Sequence, residues 1–238
     1  MCAPLVAPTG EALAAEAAAV AALQPDLLEW RVDFFAAIAD TGAVLAAARA
    51  LRAAAGGIPI LFTRRAQWEG GQPIALAEPQ VLALYEAIAA SGTVDAMDFE
   101  MGNDAADVAR VRALTRAHGL TLVLSFHDFQ STPDDAALDA RFDQAQRLEA
   151  DVAKVAVMPQ TLADVHRLLG ATLRASERLA IPVISMSMGG RGAVTRIAGG
   201  VFGSALTFAV GSQASAPGQI PIADVRAATG VLQRAAGG

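Results

Sequence analysis

Short apolar runs alternate with longer Ala-rich stretches along the whole chain. The runs at 3–7, 27–32, 58–63, 95–100, 120–126, 152–157, 181–186 and 203–210 predict strands. The stretches between them, at 10–23, 42–55, 77–91, 104–118, 133–150 and 161–178, carry helical spacing, and so do a short piece at 193–199 and a final one at 222–235. Helix-start signals agree with this division. Thr132-Pro133-Asp134-Asp135 supplies a cap, a first-turn proline and acids at the positive helix end, and Thr161 and Asn103 can cap in the same way. Gly119 and Gly170 read as helix stops.

Strands that return about every 20 to 40 residues with a helix between them are repeated βα units. Eight such units in 238 residues predict a single α/β domain, 1–238, folded as a closed (β/α)8 TIM barrel. The competing architecture is an open doubly wound sheet. It advertises a Gly-rich first turn, and Val6-Ala-Pro-Thr-Gly10 is not one.

Composition narrows the functional classes. The net charge is −6, with no basic run, which argues against nucleic acid as a partner. Apolar residues are 54% of the chain, much of it alanine, and no stretch of about 18 strongly apolar residues occurs. The N-terminus has no basic region followed by a secretory apolar core, so a soluble, cytoplasmic protein is expected. Cys2 is the one cysteine, which leaves no intrachain disulfide and no Cys-based metal site. Seventeen arginines stand against a single lysine, Lys154, and that lysine sits inside the apolar run at 152–157.

A lysine in a buried strand is either paired or deprotonated, and a deprotonated lysine is a nucleophile suited to Schiff-base chemistry on a carbonyl. The plain alternative is a lysine held by an inward carboxylate, Asp98 or Glu100. Other charges interrupt the strands at places where a barrel would aim them into its mouth. Glu29, Arg31 and Asp33 alternate and share a face, as do Asp98 and Glu100. Three charges on one side of a buried strand form a buried ion-pair network or a functional cluster. Of Arg64 and Arg65, which point to opposite sides, Arg65 is expected to face the mouth. Glu69 precedes two glycines and can reach back over it, although a solvated loop acid is the ordinary reading. His127 ends its strand, where barrels keep acids and bases, while His118 and His166 fall on helices and are expected at the surface. The Gly-rich segment Ser185–Arg196 and the segment Ser215–Gln219 suggest an anion site, with Arg196 able to grip a carboxylate bidentately. Together these residues point to lysine-dependent chemistry on a small anionic carbonyl compound, with dehydratase and aldolase both open.

The ordered segments Glu29–Asp33, Phe62–Arg65 with Glu69–Gly71, Asp98–Glu100, Ser125–Phe129, Lys154–Pro159, Ser185–Met188, Thr195-Arg196, Val201–Ser204 and Ser215–Gln219 resemble type I 3-dehydroquinate dehydratases over nearly the whole chain. The resemblance implies that Lys154 forms an imine with the ketone of 3-dehydroquinate. It makes His127 the general acid and base, held and tuned by Glu69. Arg196, with Ser215 and Gln219, would bind the substrate carboxylate; Glu29, Arg31 and Arg65 would bind its hydroxyls, and Met188 would line the pocket. It further implies no metal, no organic cofactor, a homodimer, and a role in shikimate-pathway biosynthesis rather than quinate breakdown. The chain departs from the family pattern at Ala7, where serine is often found, at the sparse Gly189-Gly190-Arg191 and at Thr195. On the residues alone, the competing readings are a Schiff-base aldolase-type barrel acting on a sugar phosphate and a non-catalytic anion sensor. The retained lysine argues against the sensor.

Overall fold

The computed structural model describes residues 1–236, so the last two positions of the expected domain, Gly237 and Gly238, lie outside the described residues. Seven strands form one parallel sheet in sequence order: β1 (Cys2–Leu5), β2 (Leu27–Arg31), β3 (Ile60–Thr63), β4 (Ala96–Glu100), β5 (Thr121–Asp128), β6 (Val152–Val157) and β7 (Val183–Ser187). A helix follows each: α1 (Gly10–Ala21), α2 (Thr41–Ala54), α3 (Glu78–Ser91), α4 (Ala105–Ala117), α5 (Asp135–Arg147), α6 (Leu162–Arg178) and α7 (Gly189–Ala198), with α8 (Ile222–Ala236) last.

The expected strand at 203–210 is not a continuous strand. The segment instead threads between β7 and β1 and closes the ring through single bridges, Val183 to Ser204 and Cys2 to Phe208. Its hydrogen bonds run to both neighbours: Ala205 N–H donates to Val183 at 2.8 Å, Cys2 N–H to Thr207 at 2.8 Å and Ala209 N–H to Cys2 at 2.9 Å. Gly203 has φ +92°, a left-handed turn that breaks any ladder at the start of the segment. The result is a TIM barrel whose eighth position is irregular.

Period-two alternation places one set of strand residues toward the helices and the other inside the barrel. The outward set, with Leu28, Trp30, Phe62, Met97, Phe99, Leu122, Leu124 and Val155, belongs to the main core. Within it Trp30, Phe62, Tyr85 and Phe99 pack edge to face, with centroids 5.6, 5.2 and 5.5 Å apart in succession, an arrangement aromatic rings favour. Inside the barrel, Leu61, Ala96 and Val123 form an apolar layer near the strand starts. Strand register then carries the chain from that layer to polar positions: Thr63 lies beside Asp98, Glu100 beside Ser125, and Ser125 beside Lys154.

Several local signals resolve differently from the sequence reading. Helix α5 is capped by Asp134, whose carboxylate accepts the Ala137 N–H at 2.8 Å, and Thr132 donates its hydroxyl to the Met158 carbonyl. Asp104 caps α4, while Asn103 turns back to donate to Glu100. Thr161 does cap α6, reciprocally with Asp164. Gly119 follows α4 with φ +67°, but Gly170 lies in the middle of α6. The Gly-rich segment after β7 is mostly helix, because α7 starts at Gly189 rather than near 193. Close packing explains glycine there: a Cβ on Gly192 would fall 2.2 Å from the Ser187 carbonyl oxygen. No helix among the described residues is long and apolar enough to cross a membrane.

Candidate active site

A cavity at the C-terminal ends of the strands holds the polar interior of the barrel, where this fold places its chemistry. Its walls include Glu29, Arg31, Arg65, Glu69, His127 and Lys154, together with Met188, Arg196, Ser215 and Gln219. Every site residue read from the sequence therefore comes to one place. Met186, Phe208 and Phe129 also line it and were not singled out. Met186 on β7 stands two residues before Met188, which follows the strand end, so alternation is the signal that would have found it.

Lys154 reaches into the cavity from β6 and is 3% exposed. Its Nζ donates to Asp98 Oδ2 at 2.9 Å, lies 3.7 Å from Glu29 Oε1 and sits 4.5 Å over the Phe208 ring. Glu29 also accepts the Thr63 hydroxyl at 2.9 Å. Arg65 is the hub of the acids: its Nη2 donates to Asp98 at 2.7 Å and its Nη1 to Glu100 at 2.9 Å and to Ser125 at 2.7 Å. Burial alone would raise the Asp98 carboxyl, but Arg65 and Lys154 outweigh it and hold the group well below the usual carboxylate range. Arg64, as expected, faces the other way and pairs with Glu78.

Glu69 is no solvated loop acid. It ends a one-turn 3₁₀ segment, Gln67–Glu69, and is 4% exposed. Two glycines make the turn. Gly70 has φ +83°, and a Cβ on Gly71 would lie 1.9 Å from the Arg65 carbonyl oxygen. The turn delivers Glu69 Oε2 to His127, where it accepts the backbone N–H at 2.9 Å and meets Nδ1 at 2.8 Å. Burial raises Glu69 to about 8, against the pull of Arg65. Burial, and then the cations Arg65 and Lys154, hold His127 well below its ordinary value. Both shifts favour an uncharged pair, so the contact is a hydrogen bond that engages Nδ1 and leaves Nε2 for a ligand.

Arg31 forms a two-point pair with Asp33, through Nε and Nη2 at 2.8 Å each. Asp33 also accepts the N–H of Gln72 at 3.0 Å, tying the β2 end to the Glu69 turn. Arg196 differs from the other buried arginines of the site. It is 1% exposed and, among the described residues, donates only to the Phe208 and Pro217 carbonyls and weakly to Met186 sulfur, and its Nε has no partner there. Burial lowers its guanidinium to about 10. A buried cation with no carboxylate of its own is a receptor for an anion. Gln219 and Ser215 close on each other above it, through the Ser215 N–H at 2.9 Å and the Gln219 amide at 3.3 Å.

This arrangement can position a carbonyl compound that carries an anionic group, offer it an amine and present a neutral imidazole to it. The chain is similar to known proteins of one family. A family model described as type I 3-dehydroquinase matches residues 1–236. A protein of Albidiferax ferrireducens named 3-dehydroquinate dehydratase is 54% identical over 237 residues, which are 100% of this chain and 90% of that protein. The crystal structure of 3-dehydroquinate dehydratase from Geobacillus kaustophilus matches with a TM-score of 0.95 and 53% identity, covering 98% of this chain and 90% of that one. A type I enzyme structure from Clostridium difficile, with covalently modified comenic acid, matches at 0.94 and 34% identity over 98% of this chain and 92% of that one.

Proposed function

Since this chain belongs to the type I 3-dehydroquinase family, we propose that it dehydrates 3-dehydroquinate to 3-dehydroshikimate, in the shikimate pathway, through an imine on Lys154. The family sets aside the sugar-phosphate aldolase and the non-catalytic sensor.

Lys154 attacks the ketone carbon, and loss of the ketone oxygen as water leaves an iminium. That cation withdraws electrons from the neighbouring carbon and so acidifies its proton. His127, neutral and donating its Nδ1–H to ionised Glu69, takes that proton on Nε2. It then returns the proton to the departing hydroxyl, which leaves as the water of the net reaction. Hydrolysis of the iminium frees product and lysine. Arg196 binds the substrate carboxylate with Ser215 and Gln219 over it. Glu29, Arg31 and Arg65 order the polar network and meet the ring hydroxyls, and Met188 packs against the ring. General acid–base help is worth roughly 10²–10⁴-fold, and the imine and orientation supply the rest.

The observation that carries this reading is the burial of the chain's one lysine, in the same cavity as the His127–Glu69 pair. The direct test is growth of the conjugated-enone absorbance of 3-dehydroshikimate when 3-dehydroquinate is added. Turnover that disappears in Lys154→Arg supports the reading. No enone from the wild-type protein, or unchanged turnover in Lys154→Arg, contradicts it.

A further inference from the structure

Asp98 is fully buried on β4 and has a different task for each oxygen. Oδ1 accepts Arg65 Nη2 at 2.7 Å and the Ser125 hydroxyl at 2.6 Å, while Oδ2 accepts Lys154 Nζ at 2.9 Å. Ser125 is itself fixed, because its oxygen accepts Arg65 Nη1 at 2.7 Å and its proton is thereby committed to Asp98. The carboxylate is thus locked in rotation, with one oxygen aimed at the lysine.

Resting on the imine chemistry above, we propose that Asp98 is the fixed counter-ion of the Lys154 iminium and sets the plane of its C=N bond, with Ser125 as the positioning residue that holds it. Written from the ammonium form, lysine plus ketone gives iminium plus water. Two N–H protons leave with the ketone oxygen, the third stays on nitrogen, and the positive charge does not change. An anion placed against the ammonium is therefore already placed against the iminium, and no reorganisation is needed at the moment of reaction. An ammonium has three N–H donors and an iminium has one. That single donor needs one acceptor, and Asp98 Oδ2 is the carboxylate oxygen at hydrogen-bond distance, since Glu29 stands at 3.7 Å. Because the C=N unit is planar, fixing the direction of its N–H fixes the plane of the substrate carbons attached to it. Asp98 stays anionic beside Arg65 and does not compete for the proton. The other titratable groups that face the pair are Cys2 on β1, Glu29 on β2, Arg65 just after β3, Glu69 in the turn beyond it, Glu100 on β4 and His127 on β5.

The test compares wild type with Asp98→Asn and Ser125→Ala in the presence of 3-dehydroquinate. It reads the borohydride-trapped adduct, the infrared C=N stretch in H₂O and D₂O, and kcat against pH. In wild type the stretch is expected to move down in D₂O, the mark of a protonated imine. Asp98→Asn should still form the adduct but lose the D₂O shift at alkaline pH. Its kcat should fall by about 10²-fold, as for loss of a preorganised electrostatic partner, and decline further at alkaline pH. Ser125→Ala keeps the charge and frees the carboxylate to rotate, so it should retain the D₂O shift and lower kcat with KM little changed. An Asp98→Asn protein with the wild-type band and profile overturns the inference. If that variant does not fold, a wild-type kcat in Ser125→Ala overturns it instead. Absence of any adduct on the wild-type protein overturns the imine reading itself, whereas an adduct whose C=N band and kcat profile are indifferent to Asp98 overturns this inference alone.

Discussion

Glu69 Oε2 touches His127 twice, accepting its backbone N–H at 2.9 Å and meeting its ring Nδ1 at 2.8 Å. One carboxyl oxygen thus fixes both the main chain and the ring of the residue that moves the proton. Its own position depends on the two-glycine turn and on Asp33, which holds the Gln72 end of that turn.

This relationship sets a pH dependence. Glu69 is raised to about 8 and His127 is lowered, so as pH falls through about 8 the pair takes up a proton that sits on the carboxyl. A protonated Glu69 donates to Nδ1 and puts the ring proton on Nε2, where it blocks the base. The base form therefore grows as pH rises, and kcat/KM should show an ascending limb near pH 8. In Glu69→Gln only His127 remains to titrate, so the limb should move to the acid side, below the ordinary histidine value, with a lower plateau. A limb that stays near 8 in that variant would remove Glu69 from the pair.

Gly71→Ala should lower kcat without touching any reacting group. The added Cβ would meet the Arg65 carbonyl at 1.9 Å, so the turn must shift and carry Glu69 away from His127. A misplacement of about 1 Å in such a constellation can cost on the order of 10²-fold. Steady-state kinetics alongside a thermal melt checks this, and wild-type kcat would show that the turn tolerates the side chain.

Arg196→Lys should not behave as a conservative change. Lysine loses the planar fork that grips a carboxylate. Hydrogen bonds to charged groups are worth about 1.5–3 kcal/mol, so kcat/KM should fall by roughly 10- to 150-fold. Because Arg196 has no carboxylate partner among the described residues, its value should lie in binding. A small carboxylate such as acetate that protects wild type against heat should protect the variant less. Equal protection would place the anion elsewhere.

Tyr85→Phe tests the wall behind the site. The buried hydroxyl donates to the Asp98 carbonyl at 2.7 Å and accepts the Arg64 N–H at 3.2 Å. Its loss leaves buried groups without a partner, at about 1–3 kcal/mol. Urea unfolding should show a lower midpoint with an unchanged slope.

The sequence displayed the fold because parallel strands are buried on both faces and read as apolar runs. For the same reason it displayed the site: Glu29, Arg65, His127 and Lys154 break those runs at positions that face inward. The eighth strand is an exception, since residues 203–210 have strand-like composition but meet β7 and β1 only through single bridges. The start of helix α7 is not legible, because local propensity disfavours glycine in a helix and only the packing against Ser187 explains Gly192. The caps at Asp104 and Asp134 are hidden for a different reason: several polar residues in a row can each serve a turn, and tertiary contacts choose among them. Ser125 gave no signal of its own, and its role appears only when strand register sets it beside Lys154.

The imine on Lys154 is the central claim, and borohydride trapping addresses it most directly. The protein is mixed with 3-dehydroquinate, reduced, digested and examined by mass spectrometry. A substrate-derived adduct on the peptide that carries Lys154, absent in Lys154→Arg, is the result expected. Turnover to the enone with no adduct on that peptide would contradict the claim.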